Sequence, residues 1–161
     1  WTRELGTSPE QGSFALTVFF SIGIFMTYIG GLLGDKYGPI KIIRLSLLVW
    51  LPAMFLLTEV PTFSPLIMMP IAYLLLLMIG AAKAISYSPV IVLGQTYLAK
   101  SIGFASGITL GVSQTIGGVI APVVGNLADT YSLPVAMMTL VPFLVMGLGA
   151  SLILKDPKKL H

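Results

Sequence analysis

Apolar runs of about twenty residues alternate along this chain with short polar interruptions, and the alternation occurs five times. Roughly 20 apolar residues in helical form cross the hydrocarbon core of a bilayer. The pattern predicts membrane-spanning helices over residues 13–33, 40–57, 66–86, 102–124 and 133–154. Pro61 and Pro65 bracket a short turn between the second and third runs. The stretch 87–100 holds Pro89, Gly94 and Gln95 and reads as a longer, partly helical connection at the membrane interface. The expected fold class is an all-α membrane bundle.

The spans differ in texture. In lipid, apolar side chains give no net drive for helix association, so close approach relies on small residues. The first span carries Gly23, Thr27 and Gly31 at four-residue spacing, with Gly30 and Gly34 beside them. The fourth carries Gly103, Gly107 and Gly111, then Gly117, Gly118, Ala121 and Gly125. Tight helix packing is therefore expected at Gly23, Gly107, Gly111, Gly118 and Gly125. The second span is bulky on every face, from Leu45 to Leu56, which predicts a peripheral, lipid-facing helix that is kinked or locally broken at Pro52. The fifth has Pro134 in its first turn, a favoured position, and Pro142 inside, a predicted kink.

The two glycine-rich spans end alike. Residues 31–38 read Gly-Leu-Leu-Gly-Asp-Lys-Tyr-Gly, and residues 125–132 read Gly-Asn-Leu-Ala-Asp-Thr-Tyr-Ser. Three apolar runs separate Asp35 from Asp129, so the two lie on opposite sides of a membrane. A unit that reappears inverted is the architecture of secondary transporters.

Composition and charge sharpen the picture. Of 161 residues, 56% are hydrophobic and 9% charged, against about 25% charged in soluble domains. Cysteine is absent and the single histidine is the last residue, His161, so disulfides and internal imidazole chemistry are excluded. Lys36, Lys41, Arg44, Lys100, Lys155, Lys158 and Lys159 fall on one side of a five-span chain. Glu4, Glu10, Glu59 and Asp129 fall on the other, with Arg3 as its base. The lysine-rich side is expected to be cytoplasmic, which puts the N-terminus outside and the C-terminus inside. The chain opens without an initiator Met or a signal peptide and reads as a piece of something longer.

Gly31, Leu33, Gly34, Asp35, Lys36 and Gly38 match a known loop. They resemble the signature loop of the major facilitator superfamily, Gly-x-Leu-(Ala/Gly)-Asp-basic-x-Gly-basic-basic. Pro39 and Ile40 depart where that pattern has bases, as in second, C-terminal-half copies of the loop. Residues 90–95, Ala105-Ser106-Gly107 and 117–122 are similar to the fosmidomycin-resistance-type branch of bacterial transporters. The resemblance implies helices eight to twelve of a twelve-helix transporter, and a missing N-terminal half as partner. It also implies that Gly31, Gly34, Asp35, Lys36 and Gly38 form a charge cluster gating the cytoplasmic side. The plain alternative is a solvated loop turn.

Further candidates come from polar groups inside apolar stretches. Lys83 is expected near the inner edge, either snorkelling to headgroups or attracting anions at the inner mouth of a pathway. Ser113, Gln114 and Thr115 lie halfway along the fourth span. Gln114 unpaired in hydrocarbon would cost about 2–7 kcal/mol, so it must face protein, water or substrate. Tyr73 and Tyr28 are candidate cavity-lining groups, while Tyr87 and Tyr97 are expected in the interfacial aromatic belt. Met68, Met69, Met137 and Met138 read as packing.

Enzyme readings lack their groups. A two-aspartate intramembrane protease needs both carboxylates together, and Asp35 and Asp129 are expected apart. No phosphate loop supports ATP hydrolysis, no Cys/His set a metal, and no cofactor or nucleic-acid partner is implied. The leading expectation is ion-gradient-driven export, by antiport and alternating access, of a small organic molecule or drug across a bacterial or archaeal inner membrane. A non-transporting membrane scaffold is the alternative.

Overall fold

The computed structural model describes residues 8–60 and 65–154. Arg3, Glu4, Pro61, Lys155, Lys158, Lys159 and His161 lie outside them. All elements among the described residues are helical: α1 (Pro9–Tyr37), α2 (Pro39–Glu59), α3 (Pro65–Tyr97), a 3-10 turn (Ala99–Ser101), α4 (Ile102–Thr130), α5 (Leu133–Met138) and α6 (Val141–Ile153). They supply five helical segments long and apolar enough to cross a membrane, with α5 and α6 together forming the fifth.

Local chemistry sets the helix ends. Ser8 and Gln11 form a reciprocal capping box at the start of α1, followed by Pro9 in the first turn. At the other end the Gly38 N–H donates to the Gly34 carbonyl at 2.9 Å, and Gly38 takes φ 95° and ψ 140°. Only glycine adopts that backbone without strain. Pro39 then opens α2 at once, so the residue that departs from the family's basic pattern is the one that starts the next helix.

Two segments differ from the expected boundaries. Helix α3 continues past residue 86 to Tyr97, so the connection to α4 shrinks to residues 98–101. Proline inside a helix costs a hydrogen bond, but Pro89 is fully buried and packs on Gly34, where a Cβ would sit 3.2 Å from Pro89 Cγ. The tertiary contact holds the helix through its weak point. Helix α2 likewise runs unbroken through Pro52. The fifth span does break, at Thr139 and Leu140. Pro142 has no N–H to give the Met138 carbonyl, and the Leu140 N–H instead donates to Met137 at 3.0 Å.

The contacts fix helix directions. Along α1, Phe19 and Ile22 meet Gly80, Gly30 meets Ile85, and Gly34 meets Pro89. Helices α1 and α3 therefore run parallel. Helix α2 connects them and packs mainly on α3. Gly94 meets Thr109, and the Gln95 amide donates to Ser106 Oγ at 2.9 Å. Helix α4 is thus antiparallel to α3 and to α1.

The core is not where bulk alone suggests. Ala53, Met54, Val60, Ala72, Leu75 and Ile79 form one buried cluster, bordered by Trp50, Met68 and Met137. Ile40, Ile43 and Leu93 form a second. Helix α2, expected at the lipid periphery, supplies much of both and exposes only the face carrying Leu45, Leu48, Phe55 and Leu56. Helix α4 buries only Ala105.

Candidate functional site

One end of the bundle gathers the bases. Asp35, Lys36, Lys41, Arg44 and Lys100 sit at the C-terminal end of α1, the N-terminal end of α2 and the turn before α4. Asp35 and Lys36 are exposed, and the Lys36 ammonium lies 5.1 Å from the centre of the Tyr37 ring. Beneath them Gly31 faces the Ser88 hydroxyl and Gly34 faces Pro89, so the signature loop rests on α3. Asp129 ends α4 and lies at the opposite end of the bundle, with Glu10 and Glu59. The two aspartates are therefore a bundle length apart, and no shared carboxylate site exists between them.

Arg44 is a structural member of this end that charge counting alone did not distinguish. Its Nε and Nη2 donate to the Ser151 carbonyl at 3.0 and 2.6 Å, and Nη2 also reaches the Leu152 and Leu154 carbonyls, both at 3.3 Å. These carbonyls at the end of α6 have no intrahelical partner, and a cation suits the helix's negative end. The first turns of the second span are thereby tied to the last turn of the fifth.

The middle of the bundle holds a groove between α1 and α3 of ≈ 260 Å³. Phe19, Gly23, Thr27, Gly80, Lys83 and Tyr87 line it, with Phe20, Ile24 and Ala84. The Lys83 ammonium sits 5.6 Å from the centre of the Phe19 ring, within the ~6 Å reach of a cation–π contact. Phe19 lies sixteen residues before Asp35, about 24 Å along α1 at 1.5 Å per residue. Gly23 is the central residue of α1. Lys83 is thus at mid-depth, not at the inner edge. The expectation erred because it ended the third span near residue 86. Tyr87 moves with it, from the expected interface to the groove wall, ten residues short of the end of α3.

The other candidates do not converge on Lys83. The Tyr73 hydroxyl donates to the Gln11 carbonyl at 3.4 Å, and its ring stands edge-on to Phe14 near the acidic end. Tyr28 is exposed on α1. Ser113 and Gln114 are exposed on α4, where Ser113 Oγ donates to the Thr109 and Leu110 carbonyls of its own helix at 2.6 and 3.0 Å. Beside them Phe104, Gly107, Gly111 and Thr115 border a shallow apolar groove.

The glycines also divide differently from the sequence pattern. At Gly23, Gly107, Gly111, Gly118 and Gly125 a Cβ would meet nothing within 4 Å among the described residues. The close approaches fall at Gly30, whose Cβ would overlap the Ile85 backbone carbonyl, and at Gly31 and Gly34. Spacing marks which glycines share a helix face, but the neighbour decides which of them is needed. Among the described residues no group of His, Cys, Asp and Glu is placed to hold a metal ion.

Two curated relatives show what this arrangement is similar to. The chain is 31% identical over 151 residues to the uncharacterized MFS-type transporter YfnC of Bacillus subtilis (strain 168), covering 94% of this chain and 35% of that protein. It is 30% identical over 131 residues to the fosmidomycin resistance protein of Escherichia coli (strain K12), covering 81% of this chain and 30% of that protein. The chain thus spans about a third of the length of the curated relatives it matches. No solved structure matches it. The model of the Major Facilitator Superfamily matches residues 1–161, end to end. With five apolar helices, an inverted pair of glycine-rich ones and the Gly-Asp-Lys loop between the first two, the chain belongs to the major facilitator superfamily of integral membrane transporters.

Proposed function

We propose that this chain is the C-terminal-half portion, helices eight to twelve, of a bacterial or archaeal inner-membrane exporter that moves a small organic molecule or drug by alternating access, driven by antiport down an ion gradient. The observation that carries this reading is the inverted pair: α1 and α4 are antiparallel, and each ends in the Gly-x-Leu-small-Asp-x-Tyr-small pattern. Inverted units that rock about a midplane site are the mechanical basis of alternating access. The name of the Escherichia coli relative, a fosmidomycin resistance protein, supports an efflux role. In this reading the rest of the transporter covers the exposed length of α4. Asp35 and Lys36 latch the inner side, where a charged loop engages or releases a helix end in the two states.

The complete gene product in inverted membrane vesicles tests this. Gradient-dependent accumulation of fosmidomycin or ethidium, abolished by an uncoupler, is the expected result. Asp35→Asn is expected to slow flux. Absence of gradient-dependent flux of either compound refutes the export reading. Orientation has its own check, since this chain has no cysteine. On intact cells an impermeant thiol reagent should label Glu59→Cys and spare Lys41→Cys, and the opposite pattern inverts the topology.

A further inference from the structure

Charge is distributed along this bundle with one exception. Glu10, Asp35, Lys36, Lys41, Arg44, Glu59, Lys100 and Asp129 all sit at helix ends or in turns. Lys83 alone, among the described charged residues, sits at mid-depth. An ammonium near the bilayer centre is costly, and such groups face a cavity or a partner charge. Helix geometry keeps the described carboxylates of α1 away: Glu10 lies nine residues from Phe19 along α1, about 14 Å, and Asp35 about 24 Å. The Phe19 ring face offsets part of the cost, but a ring quadrupole is not a counter-ion. The side chain is exposed in this chain, with its ammonium held against the Phe19 ring of α1.

The surroundings describe what fits. Gly23 presents no side chain, and a Cβ there would meet open space. Phe19 and Phe20 give apolar surface, and Tyr87 stands one helical turn beyond Lys83. Thr27 is satisfied within α1, donating to the Gly23 carbonyl at 2.8 Å. A volume of ≈ 260 Å³ lies just below the ~300–1,000 Å³ of drug-sized pockets. We propose that Lys83 anchors a binding site, between α1 and α3 at mid-depth, for a small organic anion that carries an aromatic or apolar body. The anionic group supplies the charge that Lys83 lacks, and the body lies along Phe19 over Gly23. Only the statement that this anion is the transported cargo rests on the export reading above.

The test uses the purified complete gene product, with any cysteine outside this chain replaced, and thermal unfolding as the readout. The probes are phenylphosphonate and its uncharged counterpart benzyl alcohol. Phenylphosphonate is expected to raise Tm and benzyl alcohol to leave it unchanged. Lys83→Gln should weaken the phenylphosphonate response by about 10- to 100-fold, the worth of a hydrogen bond to a charged group. Lys83→Arg should retain most of it. Lys83→Cys should lose it and regain it when the thiol is aminoethylated, which restores an ammonium and separates lost recognition from lost folding. No protection of the wild type by phenylphosphonate, equal protection of Lys83→Gln, or equal protection by benzyl alcohol overturns the proposal; the first is the outcome if a carboxylate elsewhere in the transporter neutralises Lys83. Lys83-dependent binding without gradient-driven flux keeps this site and sinks the export reading. Flux of ethidium that is indifferent to Lys83→Gln, with no phenylphosphonate binding, does the reverse.

Discussion

Replacing Gly30 with alanine adds one methyl group at the closest approach of two helices. That Cβ would overlap the Ile85 carbonyl oxygen and sit 2.8 Å from both Ile85 C and Cα. Ordinary contacts begin near 3.4 Å, so the helices must part by at least about 0.6 Å at the two carbons, and by more at the oxygen. The obstacle is backbone, so no rotamer change relieves it. Separation also loosens the packing of the adjacent Gly31 on Ser88 and, one turn on, of Gly34 on Pro89. Overpacking of this kind costs about 1–3 kcal/mol, offset by up to ~1 kcal/mol of alanine's better helix propensity. A net loss of about 1–2 kcal/mol is expected, or an apparent Tm lower by about 1–2 °C in the complete gene product. Gly23→Ala, on the same helix but facing open space, is the control and should hold or gain stability. If Gly30→Ala proves no worse than Gly23→Ala, the α1–α3 approach described here is wrong.

Other residues give equally direct tests. Gly38→Ala forces a side chain onto φ 95°, ψ 140° and should cost about 1–3 kcal/mol, read as a lower Tm. Arg44→Lys keeps the charge but cannot bridge the Ser151, Leu152 and Leu154 carbonyls together; a loss of about 1–2 kcal/mol and faster proteolysis at the end of α6 are expected. Pro142→Ala restores an N–H for the Met138 carbonyl. It should fuse α5 with α6, seen as slowed amide exchange at residues 139–142 in hydrogen-exchange mass spectrometry. Gln95→Ala removes the hydrogen bond to Ser106 and should cost about 1 kcal/mol, with Gln95→Glu tolerated only if Ser106 turns to donate.

Much of the architecture was legible in the residues, and the failures share a cause. The five helices, the turn at Gly38 and a disruption of the fifth span just before Pro142 follow from local rules of hydropathy, backbone freedom and proline's missing N–H. The end of α3 was misjudged because Pro89 and Gly94 look like breakers in isolation. Against Gly34 and Thr109 they are contact points. Helix α2 was assigned to the lipid because it is bulky all round, yet one of its faces fills the core. The candidate site was legible only in part. Lys83 stood out as a base in an apolar run, but its depth depended on the length of α3. Phe19 and Tyr87 carry no signal beyond being aromatic, and no described residue of this chain stands against Gly23.

The sequence by itself determined that the chain belongs in a membrane, that it carries five runs long and apolar enough to cross one, and that most of its bases gather apart from its acids. Those properties are one-dimensional: bilayer thickness sets the length of each apolar run, and charges fall in the polar interruptions between runs. The tertiary structure alone decided which glycines meet a neighbour within this chain, that Lys83 lies near the middle of α3 over Phe19, and that Arg44 closes the end of a helix 107 residues away. Each of these depends on what stands opposite a residue in space, and hydropathy and spacing along one helix carry no information about the helix it meets.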